Sequence, residues 1–402
     1  FSRACGTLPF AASILYDVKN AKRRELSFPR GLVTLEQCRR NVDRAYMTQP
    51  LFSAVEEAAL VLRRGLPVCL TDGSNALLAL SAETLTPDRL SAMQPEGAVI
   101  LITHPRAATL KIRLYTEGAI AIPFPAERGF ELVRHLADPI SDLSHPLMGP
   151  FHALRDGVGT LHVAAIKLAK LAGLLPCVVA RPATPEELKA CPAAAASDVL
   201  SYDDAQARAF RAVASARVPL KGAEETQVVA FRASNGGPEH LALLIGNPVP
   251  PGPVLVRLHS ECFTGDLLGS LKCDCGDQLR GAIEAIAKGG GGVLLYLAQE
   301  GRGIGLMNKL RAYALQDQGF DTVEANLRLG FGEDERVFRP AVTMLTALGF
   351  TRIRLLTNNP EKVDALKRMG LEMVERVPHA FPANPHNAHY LATKRKKAGH
   401  DI

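Results

Sequence analysis

Apolar runs of strand length alternate with amphipathic helical stretches along most of this chain, and that alternation restricts it to an α/β or α+β architecture. Val55–Arg64 sets Val55, Ala58, Ala59 and Leu62 on one helical face, with Gly65 at the stop position. Pro67–Leu70 and Val99–Thr103 are short apolar runs of strand length. Leu161–Leu171 is a second amphipathic helix, closed by Gly173, and Cys177–Ala180 reads as a buried strand. The pattern then changes. Arg181–Leu200 holds Pro182, Pro185, Pro192 and an Ala193–Ala196 run, which reads as a linker or surface connector. A further α/β segment runs from near Val213 to about Glu375. For 402 residues the pattern predicts two domains, 1–200 with the linker and 201–402, each a mixed sheet packed with helices.

Charge and composition narrow the function classes. The formal net charge of +6 would draw a polyanionic ligand to a cleft but falls short of a dedicated nucleic-acid binder. No apolar run approaches the roughly 20 residues that span a bilayer. The apolar stretch Cys5–Tyr16 is short, contains Pro9 and leads into charged residues, which argues against a signal peptide. The chain begins at Phe1, as a truncated or processed start would. Of eight cysteines, Cys5, Cys38, Cys69, Cys177 and Cys191 are scattered singly and read as buried thiols, which points to a reducing, cytoplasmic setting.

The other three cysteines fall close together. A strand-like run, Val254–Leu258, leads into His259-Ser260-Glu261-Cys262, and Cys273-Asp274-Cys275 follows. Cys273 and Cys275 are two apart, so on a tight turn both sulfurs can face one way. Three thiolates around tetrahedral Zn²⁺ leave a position for water, whose pKa coordination lowers toward neutrality; a fourth ligand such as His259 would make the site structural. Three reduced cysteines in an apolar core is the third possibility. The flanking His259, Glu261, Lys272, Asp274 and Asp277 are not core residues and weigh against it.

Three more clusters come later, two after the strand-like runs Val293–Ala298 and Ile353–Leu356 and one after a Gly330–Gly332 turn. After Val293–Ala298 comes Gln299-Glu300-Gly301-Arg302-Gly303-Ile304-Gly305, whose glycines let backbone N–H groups approach an anion ahead of a helix. Lys309, Arg311 and Tyr313 lie on that helix, where Tyr313 would by default be a half-buried aromatic. Glu333-Asp334-Glu335-Arg336 reads as a solvated helix start. Thr357-Asn358-Asn359-Pro360-Glu361-Lys362 carries a capping residue and a first-turn proline.

Together, the phrases RLHSECFTGD, LKCDCGDQL, QEGRGIGLMNKLRAYALQDQGFDTVEAN, LGFGEDER and LLTNNPEKV, in this order between Arg257 and Val363, resemble GTP cyclohydrolase II. The resemblance implies zinc ligation by Cys262, Cys273 and Cys275. It implies a GTP pocket made by Arg257, His259, Ser260, Glu261, Gln278, Glu300, Gly301, Arg302, Thr322, Thr357 and Lys362. Tyr313 would lie near the reacting base, Asp334 would accept a proton, and Arg336 would act as nucleophile toward the α-phosphorus. It further implies Mg²⁺ beside the triphosphate, a homodimer, and the release of formate and pyrophosphate at the entry to riboflavin synthesis. No nucleic-acid or membrane partner is expected.

The first half resembles a 3,4-dihydroxy-2-butanone 4-phosphate synthase in the phrases VEEAALVLRRGLPV, SAETLTPDRLSAM and AAIKLAKLAGL. Its catalytic phrases are missing. The synthase's acidic loop is replaced by Thr71-Asp72-Gly73-Ser74-Asn75-Ala76-Leu77-Leu78, its Gly-His-Thr-Glu phrase by Thr160-Leu161-His162-Val163, and its terminal Cys-Glu by Ala180-Arg181. His162 is expected to be a surface or core histidine. The resemblance thus implies a silent first domain; the alternatives are a bifunctional enzyme and a regulatory protein that holds GTP without opening it.

Overall fold

In the computed structural model the described residues are 50–94, 97–125, 129–146 and 149–382, with Pro385 and Asn387. Cys5, Cys38, the Cys5–Tyr16 stretch and the basic run Lys394–Lys397 lie outside them. The chain first forms α1 (Pro50–Arg63), β1 (Val68–Thr71), β2 (Ala76–Ser81), α2 (Pro87–Ala92), β3 (Val99–Ile102), α3 (His104–Thr109), β4 (Ile120–Pro123) and α4 (Gly129–Ala137). It continues through α5 (Thr160–Leu171), β5 (Cys177–Pro182), α6 (Pro185–Ala190) and β6 (Ala193–Ala195). The strands form one mixed sheet in the order β4-β3-β5-β2-β1-β6, with β1 and β6 parallel.

The stretch expected as a linker is therefore built into this sheet. Pro185 sits at the start of α6, where its missing N–H costs nothing, and Thr184 and Glu187 close a capping box around it. The alanine run supplies β6, which pairs with β1 through Cys69, Leu70 and Thr71. Of the isolated thiols, Cys69 and Cys177 are buried as expected, whereas Cys191, where α6 ends, is only half-buried. Burial pushes the Cys177 thiol up to about 12.

After α7 (Ala196–Arg208) come β7 (Phe210–Arg217), β8 (Thr226–Ala233), β9 (His240–Gly246), β10 (Val254–Ser260), α8 (Cys275–Lys288) and β11 (Gly291–Leu297). The chain then forms α9 (Leu306–Asp317), α10 (Thr322–Arg328), α11 (Arg339–Ala347), β12 (Arg352–Leu356), α12 (Pro360–Arg368) and β13 (Glu372–Val377). The second sheet runs β13-β12-β10-β11-β9-β8-β7. Its β13, β12, β10 and β11 are parallel and the rest antiparallel. Strands β10 and β11 are buried along nearly their whole length, as parallel strands covered by helices are. Loops at the carboxyl ends of such strands are where open α/β sheets bind ligands. All of the motif clusters after β10, β11 and β12 emerge at that edge.

The two halves share a core. Ile304, Ala312, Leu315, Ala325, Leu329 and Phe331 pack with Leu80, Ile100 and Ile102 of the first sheet and with Leu175 ahead of β5. Polar contacts fix the seam: Arg311 makes a two-pronged pair with Glu83 at 2.9 and 3.2 Å, and Thr103 Oγ1 donates to Gly330 O at 2.7 Å. No described helix is long and apolar enough to cross a membrane.

Candidate active site

Cys262 stands where β10 ends and a π-helical turn, Phe263–Leu267, begins; Cys273 and Cys275 lie at the start of α8. Their three sulfurs all fall within 4.8 Å of one another, and Cys262 Sγ is 3.7 Å from Cys273 Sγ. Ligands at ~2.3 Å from a tetrahedral metal lie about 3.8 Å apart, so this spacing fits a shared ion. Gly265 clears the space: a Cβ there would sit 2.8 Å from Cys273 Sγ and 3.0 Å from Cys262 Sγ. Hydrogen bonds from the Cys273 and Cys275 thiols, then Lys309, hold the Cys262 thiol far below the usual range. Sharing a hydrogen bond with Cys262 pushes Cys273 up to about 11 and raises Cys275 as well. Three thiolates this close repel one another, so a full set calls for a cation among them.

The histidine beside the cluster is occupied elsewhere. His259 Nε2 lies 3.0 Å from both carboxylate oxygens of Asp266, and burial lowers the pKa of the ring. Among the described residues the only group of side chains poised for a metal is the three cysteines. Asp266 also accepts from the Cys262 backbone N–H and the Tyr296 hydroxyl, both at 3.0 Å, and so fixes the turn that presents Cys262.

On the β11 side, Glu300 binds across two turns, accepting Phe263 N–H at 2.6 Å, Gly301 N–H at 2.9 Å and Lys309 Nζ at 2.8 Å. Lys309 Nζ also reaches Cys262 Sγ at 3.0 Å. Burial opposes its charge, but the bonds to Glu300 and Cys262 hold it above the ordinary lysine range. Tyr313, one helical turn on, meets Thr264 Oγ1 at 3.3 Å, and burial pushes its hydroxyl up to about 12. The turn itself is left-handed at Gly301, Arg302 and Gly303. At Gly303 a Cβ would lie 2.8 Å from Glu335 O, so glycine is required for the close approach as well.

The opposite wall is polar and cationic. Arg257, buried in β10, donates to Leu356 O at 2.9 Å and to Gln278 Oε1, while its Nε is buried without a protein partner. Burial lowers its pKa to about 10, which leaves it charged at neutral pH. Asn359 caps α12 through Glu361 N–H, as expected, and Thr357 Oγ1 accepts Asn359 N–H at 3.1 Å. Lys362 is buried, 5.6 Å from the Phe338 ring centroid. Residues 333–336 are irregular, with a bend at Glu333, rather than a helix start. There Asp334 accepts from the Arg336 backbone and from its Nε at 2.8 and 3.0 Å. Burial alone would raise the Asp334 carboxyl, but Arg336 holds it below its usual range.

The sequence model of the family GTP cyclohydrolase II matches residues 211–378. A GTP cyclohydrolase-2 of Azospirillum brasilense is 50% identical over 367 residues, an alignment covering 88% of this chain and 95% of that protein. The chain belongs to the GTP cyclohydrolase II family. A Xylella fastidiosa member is 39% identical over 356 residues, covering 86% of this chain and 87% of its own length. A Proteus mirabilis member is 54% identical over 191 residues, which are 48% of this chain but 96% of that protein. Among solved structures, a two-domain 3,4-dihydroxy-2-butanone 4-phosphate synthase from A. baumannii aligns at 18% identity over 81% of this chain and 99% of its own. Its TM-score of 0.32 is too low to bear on the fold.

One cavity gathers the residues that the resemblance to GTP cyclohydrolase II singled out. It is lined by the three cysteines, Arg257, His259, Ser260, Glu261, Gln278, Glu300, Gly301, Arg302, Tyr313, Thr322, Arg336, Thr357 and Lys362. Asp334 does not line it and reaches it through Arg336. Lys272, Lys309, Gln316, Asn326, Asn358 and His379 line it too, and sequence reasoning did not assign them. Lys309 stood in the quoted helix as a bare cation. His379 carried no local signal, because Asn358 places it from 21 residues away through paired bonds of 2.6 and 2.7 Å.

In the first half, the positions that replace the synthase phrases have local duties. Asp72 Oδ1 accepts Asn75 N–H at 3.3 Å in the β1–β2 turn. His162 Nδ1 accepts Gly159 N–H at 3.1 Å at the start of α5, which accounts for it as a capping residue. Arg181 is held in a two-pronged pair with Glu187 at 2.6 and 2.9 Å.

Proposed function

We propose that this chain hydrolyses GTP to 2,5-diamino-6-(5-phosphoribosylamino)pyrimidin-4(3H)-one, formate and pyrophosphate, the first step of riboflavin synthesis. The observation that carries this is one cavity with three sulfurs at tetrahedral spacing on one wall and Arg302, Arg336 and Lys362 on another. Family membership supplies the substrate: the relatives above are named GTP cyclohydrolase-2.

Cys262, Cys273 and Cys275 would hold Zn²⁺; soft thiolates at this spacing suit that ion, and His259 is engaged with Asp266. When bound, Zn²⁺ supplies Lewis acidity that makes water nucleophilic near neutral pH, as attack at guanine C8 requires. Two waters are consumed in releasing C8 as formate and one in releasing pyrophosphate. Gln278 and Arg257 face the purine, and Ser260, Glu261, Glu300, Gly301, Thr322 and Thr357 complete the pocket. Burial, with Glu300 and Asp266 nearby, raises the Glu261 carboxyl, which suits it to hold a proton beside the ring. Tyr313 stands next to the cysteine wall for the reacting base. Mg²⁺ enters with the triphosphate.

Arg302, Arg336 and Lys362 neutralise charge that develops on the phosphates. Arg336 attacks the α-phosphorus, with Asp334 as the acceptor of its proton, the assignment the resemblance implies. A second reading rests on the Asp334 carboxyl being held below its usual range, which makes it a weak base. In that reading Arg336 stays protonated and stabilises charge.

Residues 201–402 form the reacting domain and 1–200 a silent scaffold, in a cytoplasmic homodimer. Mass analysis of products after incubation with GTP and Mg²⁺ tests the reading. Formate and pyrophosphate in equal amounts, with the diaminopyrimidine, are expected. GTP bound but recovered intact would instead support a regulatory protein.

A further inference from the structure

We propose that Lys170, on α5 in the first half, is a positioning residue for the phosphate-facing arm of the site and acts through Glu335. The inference rests on the GTP-hydrolysing reading above. Lys170 Nζ donates to Glu335 Oε1 at 2.6 Å, and the same oxygen accepts Gly332 N–H at 2.7 Å. The Glu335 backbone N–H donates to Arg302 O at 3.1 Å. Glu335 thus ties together the turn that carries Arg302 and the segment that carries Arg336.

Asp334 accepts from the Arg336 backbone N–H and from its guanidinium, and Arg336 lines the cavity. Glu335, between the two in sequence, is fixed by Lys170, Gly332 and Arg302, and the pair on either side of it is fixed with it. The base is firm, because the neighbouring Leu168 and Ala169 of α5 are fully buried. Lys170 and Glu335 are 23% and 22% exposed, so their pairing is partly screened and contributes little to folding stability. Its effect is on geometry, to which the placement of a reacting group is far more sensitive. The Proteus mirabilis relative aligns over 48% of this chain and 96% of its own length, so a family member of about half this size exists, and the expected effect is a slowing and not an abolition.

Full-length Lys170→Met and Lys170→Arg are compared with the parent chain on GTP and Mg²⁺. In Lys170→Met, kcat for pyrophosphate release should fall about tenfold while KM changes less than about twofold. Zinc content and Tm should stay at parental values, and Lys170→Arg should recover most of the rate. Amide hydrogen exchange across residues 332–337 should quicken in Lys170→Met alone. Parental kcat with parental exchange overturns the proposal. So does a rate loss that merely tracks zinc content, the sign of a structural role. If the parent itself releases no pyrophosphate, the functional reading fails separately; exchange then decides, and parental exchange in Lys170→Met overturns the positioning role.

Discussion

At the scale of single residues, the two walls of the cavity separate two kinds of chemistry, and their variants should fail differently. Cys273→Ser removes one of three soft donors, so the chain should lose its zinc and its formate release while still releasing some pyrophosphate. Arg336→Ala should keep its zinc and release little of either product. A full zinc complement with normal turnover in Cys273→Ser would sink the metal assignment, and full pyrophosphate release by Arg336→Ala would remove the nucleophile. Protonation of a core histidine gives a separate test of the fold. His240 is buried, stacks on Phe210 at 4.5 Å and accepts Ala298 N–H at 2.9 Å. Burial lowers its pKa to about 4. Because the folded state resists the proton, this residue favours folding above the unfolded pKa of about 6.5, and that contribution falls as pH drops toward 4. Denaturant unfolding should show His240→Gln losing on the order of 2 kcal/mol less than the parent between pH 7 and 4.5; equal losses would refute it. The cysteines stood out by their spacing, whereas the roles of Arg302, Arg336 and Lys362 entered only through the resemblance to GTP cyclohydrolase II. Asp266 and Lys309 were not legible. Their importance lies in partners that only the folded chain brings near, Tyr296 for one and Cys262 for the other.

At the scale of elements, the parallel strands β10 and β11 were the most legible, since strands buried on both faces read as nearly continuous apolar runs. Segments whose structure depends on neighbours were not legible. The Ala193–Ala195 run becomes a strand only because β1 offers it an edge. The Glu333–Arg336 run forms no helix, and its path is fixed by Lys170, Gly332 and Arg302, all of which engage Glu335. The π-helical turn Phe263–Leu267 is a third case, with no periodicity to mark it. Its Gly265 is required by contact: a Cβ would press on two sulfurs at 2.8 and 3.0 Å and on Cys275 Cβ at 3.0 Å. Sulfurs held by a metal cannot retreat, so Gly265→Ala should cut zinc affinity at least about tenfold, the scale of a disturbed metal surround. The sheets do not pass through this turn, so the far-ultraviolet circular dichroism should be unchanged. Zinc affinity equal to the parent's, measured by competition with a chromophoric chelator, would show that the turn relaxes without cost to the site.

At the scale of the whole molecule, the proposal that the first half makes no dihydroxybutanone phosphate rests on groups that its synthase-like phrases do not supply. That reaction needs a divalent cation to hold an enediolate and groups to move protons along the sugar. Hard cations need several oxygen ligands, and residues 73–80 contain no acid. The remaining Asp72 shapes the β1–β2 turn through Asn75. Arg181 stands where the synthase has a glutamate, and its pairing with Glu187 occupies the nearest acid. His162 accepts a backbone N–H at the start of α5, and burial lowers its pKa, so it is committed to a capping bond. Meanwhile the half keeps its core, and that core is completed by Ala312, Leu315, Leu329 and Phe331 from α9, α10 and the segment after them. Support of the neighbouring site through this seam is the role proposed for the first half. The expectation is that the full chain, given ribulose 5-phosphate and Mg²⁺ or Mn²⁺, forms neither formate nor a four-carbon phosphate above the uncatalysed rate. Phosphorus NMR and a formate assay check this directly, with GTP turnover in the same sample proving that the protein is folded. Four-carbon phosphate forming at an enzymatic rate would make the chain bifunctional, and its acid–base groups would then have to be sought outside the three phrases compared here.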